Sequence, residues 1–163
     1  RDLHSFPTRR SSDLLDPLLT PELLYVLRAM GHGDELILAD CNFPSDSIAS
    51  ETTYGSLIRL DGNTISEAAD AILSVMPLDS FVDSPILRME VVGNPGEVLD
   101  VHSDLKKSVD KFSDKEWPMG SIERHAFYDR AKQAYAVVST SERRPYGCFV
   151  LVKGIIGPDG NVG

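Results

Sequence analysis

The sequence predicts a layered α/β domain in which helices cover a sheet. From residue 15 onward, amphipathic helical patterns alternate with short apolar segments that suit buried strands, and this interleaving is typical of α/β domains. The composition agrees, because 42% of the 163 residues are hydrophobic and 25% are charged, as in ordinary soluble globular proteins. A chain of this length is expected to form one domain.

The first helix is marked at both ends. Thr20 supplies an N-cap hydroxyl before Pro21 at the first helical position, and Gly31 ends the helix. The next segment, ELILAD over residues 35–40, is a short apolar run that suits a buried strand and ends in a carboxylate. The same patterns predict helices over residues 65–76, 97–112 and 126–133, and strands over residues 56–60, 86–92, 134–140 and 149–156.

Residues 1–14, RDLHSFPTRRSSDL, do not fit this pattern. They contain no apolar core of a secretory signal peptide, and their acidic residues fit a transit peptide poorly. We interpret them as an artefactual or disordered extension, so the predicted domain covers residues 15–163.

Charge and cysteine content exclude several classes of protein. The formal charge of −9 argues against binding to nucleic acid or to an anionic membrane surface, since both need clustered Lys and Arg. No apolar run approaches the roughly 20 residues that span a bilayer. The two cysteines, Cys41 and Cys148, are too few for a disulfide framework and lack zinc-site spacing. They are predicted to be reduced thiols of a cytoplasmic protein.

The first candidate site lies around the motif MGHGD and the strand that follows it. His32 lies between two glycines, and an imidazole with a pKa near 6.5 can exchange protons at neutral pH. Alternatively, it caps the carbonyls at the end of the first helix. Asp40 ends a predicted strand, where it could bind sugar hydroxyls or cap a turn with Asn42. A metal site built from His32, Asp34 and Asp40 lacks a second histidine at ligand spacing, so none is predicted.

The second candidate site is the segment RHAFYDR at residues 124–130. A helix places Arg124, Phe127 and Tyr128 on one side, where an aromatic face could pack against a sugar. The alternative is a pair of core aromatics flanked by surface charges. Tyr146 and Gly147 enter the last predicted strand, where glycine allows close approach to a ligand.

Taken together, these segments closely resemble the ribose pyranase and fucose mutarotase family. The resemblance is carried by LTPELLYVLRAMGHGDELILADCNFP, DSFVDSPILRME, IERHAFYDRAKQAYAVVSTSERRPYG and a final KG, in matching order from about residue 15 to residue 154. AFYDRA and PYG are more similar to the fucose branch. The resemblance implies a three-layer sandwich with a mostly parallel mixed sheet covered by helices.

It also implies a cytoplasmic isomerase that uses neither cofactor nor metal. Members of the family interconvert the α and β anomers of L-fucose, and some interconvert the pyranose and furanose forms of ribose. They assemble into ring-shaped homodecamers with the site between neighbouring subunits. A non-catalytic monosaccharide-binding protein linked to sugar uptake and a ribose pyranase remain the alternatives.

Residue by residue, the resemblance implies that His32 is the catalytic acid/base. The implied substrate contacts are Asp40, Asp79, Met89, Arg124, Tyr128, Tyr146 and Cys148. Two departures concern sugar preference. Cys148 stands where the family usually has asparagine, which removes an amide from the pocket. His125 stands where phenylalanine is common.

Overall fold

The computed structural model describes residues 14–163. The interpretation of residues 1–14 as an extension therefore lies outside the described residues, except for the exposed Leu14. Within the described part the helices are α1 (Pro21–Ala29), α2 (Ser45–Ala49), α3 (Ile65–Leu73), α4 (Asp100–Lys111) and α5 (Arg124–Lys132). The strands are β1 (Glu35–Ala39), β2 (Leu57–Leu60), β3 (Ile86–Met89), β4 (Met119–Ile122), β5 (Ala136–Thr140) and β6 (Phe149–Val152).

The predicted elements are all found, with different ends, and α2 and β4 were not predicted. The predicted helix over residues 126–133 begins earlier, at Arg124. It does so because the Glu123 carboxylate accepts hydrogen bonds from the amides of His125 and Ala126, and so acts as the N-cap. The predicted strands over residues 86–92 and 149–156 are shorter, ending at Met89 and Val152.

All six strands form one mixed sheet in the order β2-β5-β1-β6-β3-β4. Every neighbouring pair is parallel except the two that involve β6, which runs antiparallel to β1 and β3. The mostly parallel mixed sheet is thereby confirmed. We call the edge where β1, β3, β4 and β5 end and β6 begins the carboxyl edge, and the opposite edge, where β1 begins and β6 ends, the amino edge.

Helices cover both faces of the sheet, which confirms the three layers. On one face, α1, α3 and α4 pack through residues such as Leu23, Ile72 and Leu105. On the other face, α2 and α5 pack through Ile48 and Phe127. The strands between them are almost continuously apolar, as expected for a sheet buried on both sides.

Candidate active site

A cleft of about 290 Å³ opens at the carboxyl edge of the sheet. Its walls come from the ends of β1 and β3, the first turns of α5 and the segment that enters β6. Ligands of open α/β sheets characteristically bind at this edge. The cleft brings together six of the predicted substrate contacts: Asp40, Met89, Arg124, Tyr128, Tyr146 and Cys148.

Asp40 forms the floor of the cleft. Its carboxylate is buried, and Oδ1 accepts hydrogen bonds from the amides of Asn42 at 2.9 Å and Phe43 at 3.0 Å. Oδ2 accepts from the amide of Gly147 at 3.0 Å. The predicted turn with Asn42 is therefore present, and the same carboxylate also ties β1 to the start of β6. Oδ2 accepts a single backbone hydrogen bond and so keeps a lone pair that can accept a ligand hydroxyl.

Arg124 and Tyr128 form one wall. The Arg124 guanidinium carbon lies 5.8 Å from the centre of the Tyr128 ring, and that ring meets Phe43 edge-on at 5.3 Å. The Nε atom of Arg124 is buried and has no hydrogen-bond partner among residues 14–163. Phe127 is fully buried in the core, whereas Tyr128 is only partly buried and borders the cleft. The core interpretation therefore holds for Phe127 alone.

Tyr146 is held in a strained backbone conformation. Its φ of 60° is the only positive value at a non-glycine residue in the described part of the chain, and such residues cost about 1–3 kcal/mol. Its hydroxyl accepts a hydrogen bond from the Val92 amide at 3.3 Å. Its carbonyl oxygen lies 3.0 Å from Nε2 of His102. Strain of this kind persists where the surroundings fix a side chain for function.

His102 is a structural partner of this site that the sequence did not reveal. Its ring is fully buried, and Nδ1 accepts a hydrogen bond from the Leu99 amide at 3.0 Å. Nε2 therefore carries the hydrogen and donates it to the Tyr146 carbonyl. Burial lowers the pKa of His102, so the ring holds this tautomer in its neutral form. The only local signal was one histidine in a helix with a polar pattern.

Cys148 lies against Asp40 in the wall of the cleft. Burial, and then the negative charge of Asp40, raise the pKa of the Cys148 thiol well above its usual value. The residue therefore presents a neutral thiol rather than a thiolate. Both cysteines are free, and Cys41 is exposed.

His32 lies at the amino edge. Its ring is 45% exposed, and Nε2 lies 3.0 Å from Oδ1 of Asp79, which also accepts the Phe81 amide at 3.0 Å. The sequence alternative, in which His32 caps α1, is not found. Instead, Nζ of Lys153 donates to two carbonyls at the end of α1. Gly154 makes room for Asp79, because a Cβ at that position would collide with the Leu78 backbone.

The predicted residues thus form two groups, separated by the length of β1. His32 and Asp79 lie at the amino edge, whereas Asp40 and the other five lie at the carboxyl edge. Five strand residues alone span about 17 Å at 3.3 Å per residue. One monosaccharide cannot contact both groups in a single chain.

Metal sites and membrane-spanning helices are the other two features of interest in residues 14–163. Among residues 14–163, no three His, Cys, Asp or Glu side chains lie close enough together to hold a metal ion. Within the same residues, no helix is long and apolar enough to cross a membrane.

Comparison with protein families gives one match that spans most of the chain. Residues 14–156 match the model described as the RbsD / FucU transport protein family. The chain belongs to the RbsD/FucU family. The match includes both groups of predicted site residues and ends before the last seven residues.

Named relatives within the RbsD/FucU family are similar over most of their length. A fucose mutarotase of Danio rerio is 44% identical over 151 residues, which cover 87% of this chain and 92% of the relative. An L-fucose mutarotase of Actinobacillus pleuropneumoniae serotype 5b (strain L20) is 40% identical over 143 residues, covering 86% and 94%. The solved fucose mutarotase from Streptococcus pneumoniae in complex with L-fucose is 39% identical with a TM-score of 0.78, covering 88% and 99%.

Proposed function

We propose that this protein is a fucose mutarotase, an isomerase that interconverts the α and β anomers of L-fucose. The observation that carries the proposal is the 40–44% identity to fucose mutarotases over about nine-tenths of their length. The carboxyl-edge cleft supports it, because a buried carboxylate, an arginine with a free Nε and a tyrosine ring are the groups that bind a monosaccharide.

Mutarotation requires only the transfer of protons. A base takes the proton of the anomeric hydroxyl while an acid gives one to the ring oxygen, and the bond between C1 and the ring oxygen breaks. The resulting aldehyde rotates about C1–C2 and the ring closes by the reverse transfers, so no atom or electron is gained or lost. We assign the acid/base role to His32. Asp40 and Arg124 bind hydroxyls, and the cleft side chains Met89, Tyr128, Tyr146 and Cys148 shape the pocket.

Asp79 prepares His32 for this role. A carboxylate only accepts hydrogen bonds, so the imidazole hydrogen lies on Nε2 and points at Asp79. Nδ1 is then the atom that is free to exchange a proton with the sugar. Asp79 is therefore proposed as a positioning residue for His32, in addition to the substrate contact that the resemblance implied.

We further propose that the site is completed by a second copy of the chain. The amino edge of one subunit would bring His32 to the carboxyl-edge cleft of the next, a head-to-tail arrangement that closes into rings. Exposed apolar side chains flank both halves. Phe81 beside His32 is 70% exposed, and Val92 beside Tyr146 is 63% exposed. The assembly expected is the decamer of the family, ten chains of 17.9 kDa or about 180 kDa by light scattering.

Saturation-transfer NMR between the anomeric proton signals of L-fucose tests the proposal. Wild-type protein is expected to accelerate exchange, and His32→Ala to lose about 10²- to 10⁴-fold in turnover while fucose still binds. Asp34→Asn is the matched control in the same turn, since an amide oxygen can still accept the Gly31 amide. Unchanged exchange in His32→Ala would remove His32 from the mechanism.

The family description, a transport protein family, favours one second candidate, a non-catalytic carrier of monosaccharides. Binding of L-fucose without any acceleration of exchange by the wild-type protein would support the carrier. Acceleration with D-ribose but not with L-fucose would instead indicate a ribose pyranase.

A further inference from the structure

Arg88 is a buried cation that has no counterion among the residues that the structure describes. It lies in β3 on the face that α4 covers, and only 7% of the residue is exposed. Its Nη2 donates to the Pro95 carbonyl at 2.9 Å, whereas Nη1 is buried and has no partner among residues 14–163. Within the same residues, Arg88 forms no salt bridge. Burying an unpaired charge is strongly unfavourable, so a ligand or partner that supplies the missing negative charge would stabilise Arg88.

Arg88 lines a cavity of about 300 Å³ between β3 and α4. Along α4 the cavity is bordered by Ser103, Lys106, Lys107 and Asp110. Three cationic side chains thus face a single carboxylate, although the whole chain carries a formal charge of −9. Asp110 is already bound to Lys106 at 2.6 Å, which leaves Arg88 uncompensated.

Three other titratable groups near the cavity already have partners, the first of them Glu97, which is exposed and accepts a hydrogen bond from Nδ2 of Asn94 at 3.2 Å. Both ring nitrogens of His102 are engaged, one by the Leu99 amide and one by the Tyr146 carbonyl. Asp104 is shared between Arg144 at 2.7 Å and Lys107 at 3.6 Å. The cavity is therefore lined by Arg88, whose buried Nη1 is unpaired, by two lysines that each have one carboxylate partner, and by Ser103.

We propose that this cavity binds a phosphate group, either as inorganic phosphate or as part of a phosphomonoester. Arginine nitrogens match the oxygens of a phosphate in geometry, and a phosphate supplies the negative charge that Arg88 lacks while the two lysines already have carboxylate partners. The site is distinct from the carboxyl-edge cleft. His102 borders the phosphate site and is bonded to Tyr146, which lines that cleft. It does not depend on the proposed mutarotase activity.

Thermal unfolding of the protein in inorganic phosphate tests the site, with sodium chloride keeping the ionic strength constant. A ligand that binds the native state raises its melting temperature in a saturable way. We expect this rise for the wild type at about 1–10 mM phosphate, and no rise for Arg88→Met. Arg59→Met is the matched control, because Arg59 is an exposed arginine paired with Asp61 and should leave the rise unchanged.

Phosphorus NMR separates the possible sources and outcomes. Line broadening of inorganic phosphate by the wild type but not by Arg88→Met supports the site, and displacement by a lower concentration of a hexose 1-phosphate identifies a phosphomonoester as the preferred ligand. Equal broadening by both variants overturns the proposal. It is also overturned if phosphate changes neither the melting temperature nor the line width with the wild type. If Arg88→Met then dissociates the oligomer, the counterion of Arg88 is a carboxylate of a neighbouring subunit. Lys107→Met keeps Arg88 and should weaken phosphate binding about tenfold or less.

Discussion

Mixed oligomers of two inactive variants test the division of the site between subunits. His32→Ala removes the group at the amino edge, and Arg124→Ala removes a group from the cleft at the carboxyl edge. Each variant alone is expected to be nearly inactive, the first through lost proton transfer and the second through lost charged hydrogen bonds. Because about 17 Å of β1 separate the two positions, a shared sugar needs them from different chains.

The expected recovery of activity equals the fraction of sites that contain both native residues. In a random equal mixture, half of the sites receive a native His32 and, independently, half receive a native Arg124. About a quarter of wild-type activity should therefore return if neighbours supply the two halves. If one chain supplied both, every site would lack one residue and no activity would return.

Coexpression with two different tags, tandem purification and anomeric exchange of L-fucose measure the recovery. The double variant mixed equally with wild type is the control, because it should also give about a quarter for a shared site but about half for a site within one chain. Mixed oligomers, verified by mass, that stay at the level of the single variants would refute the reasoning.

Three further predictions concern stability and thiol chemistry. Burial lowers the pKa of His102 in the folded state. The free energy of unfolding that neutral His102 contributes is therefore complete above its unfolded-state pKa of about 6.5, and it is lost as the pH falls toward the lower folded-state pKa. His102→Gln, which keeps a donor and an acceptor, should flatten the dependence of urea unfolding on pH over that window. Lys153→Met should destabilise the protein by about 1–3 kcal/mol by uncapping two carbonyls of α1. Lys132→Met should cost about 0.5 kcal/mol or less, because Lys132 is partly exposed and its ion pair with Glu51 is a long one, and both variants are measured by urea unfolding. Ellman's reagent should modify Cys41 quickly and Cys148 only after unfolding, and a fast reaction that persists in Cys41→Ser would contradict the burial of Cys148.

Much of the fold could be predicted because its elements carry local signals. Nine of the eleven helices and strands of residues 14–163 follow from periodicity and end signals such as Thr20 and Gly31. The two that were missed have little local signal. α2 has five residues, too few to show a helical period, and β4 is a four-residue edge strand that contains Gly120.

The members of the candidate site could also be proposed from sequence, but not their arrangement. His32 and Asp40 are eight residues apart, and nothing local shows that β1 directs them to opposite edges of the sheet. The role of His102 depends on Tyr146, which lies 44 residues further along the chain. Arg88 lies between the apolar residues Leu87 and Met89 in a predicted strand, and only the packing of α4 over it shows that it is buried with no counterion among residues 14–163.

The length of β1 explains why the proposed assembly and the proposed activity would be inseparable in this protein. β1 separates His32, the proposed acid/base, and its proposed positioning residue Asp79 at the amino edge from the buried Asp40 at the carboxyl edge. Shortening β1 to bring them together would break the hydrogen-bonded register with β5 and β6 at the centre of the sheet. Joining the amino edge of one copy to the carboxyl edge of the next solves the problem without changing the fold. Each chain would then provide both halves of the site, but to two different neighbours.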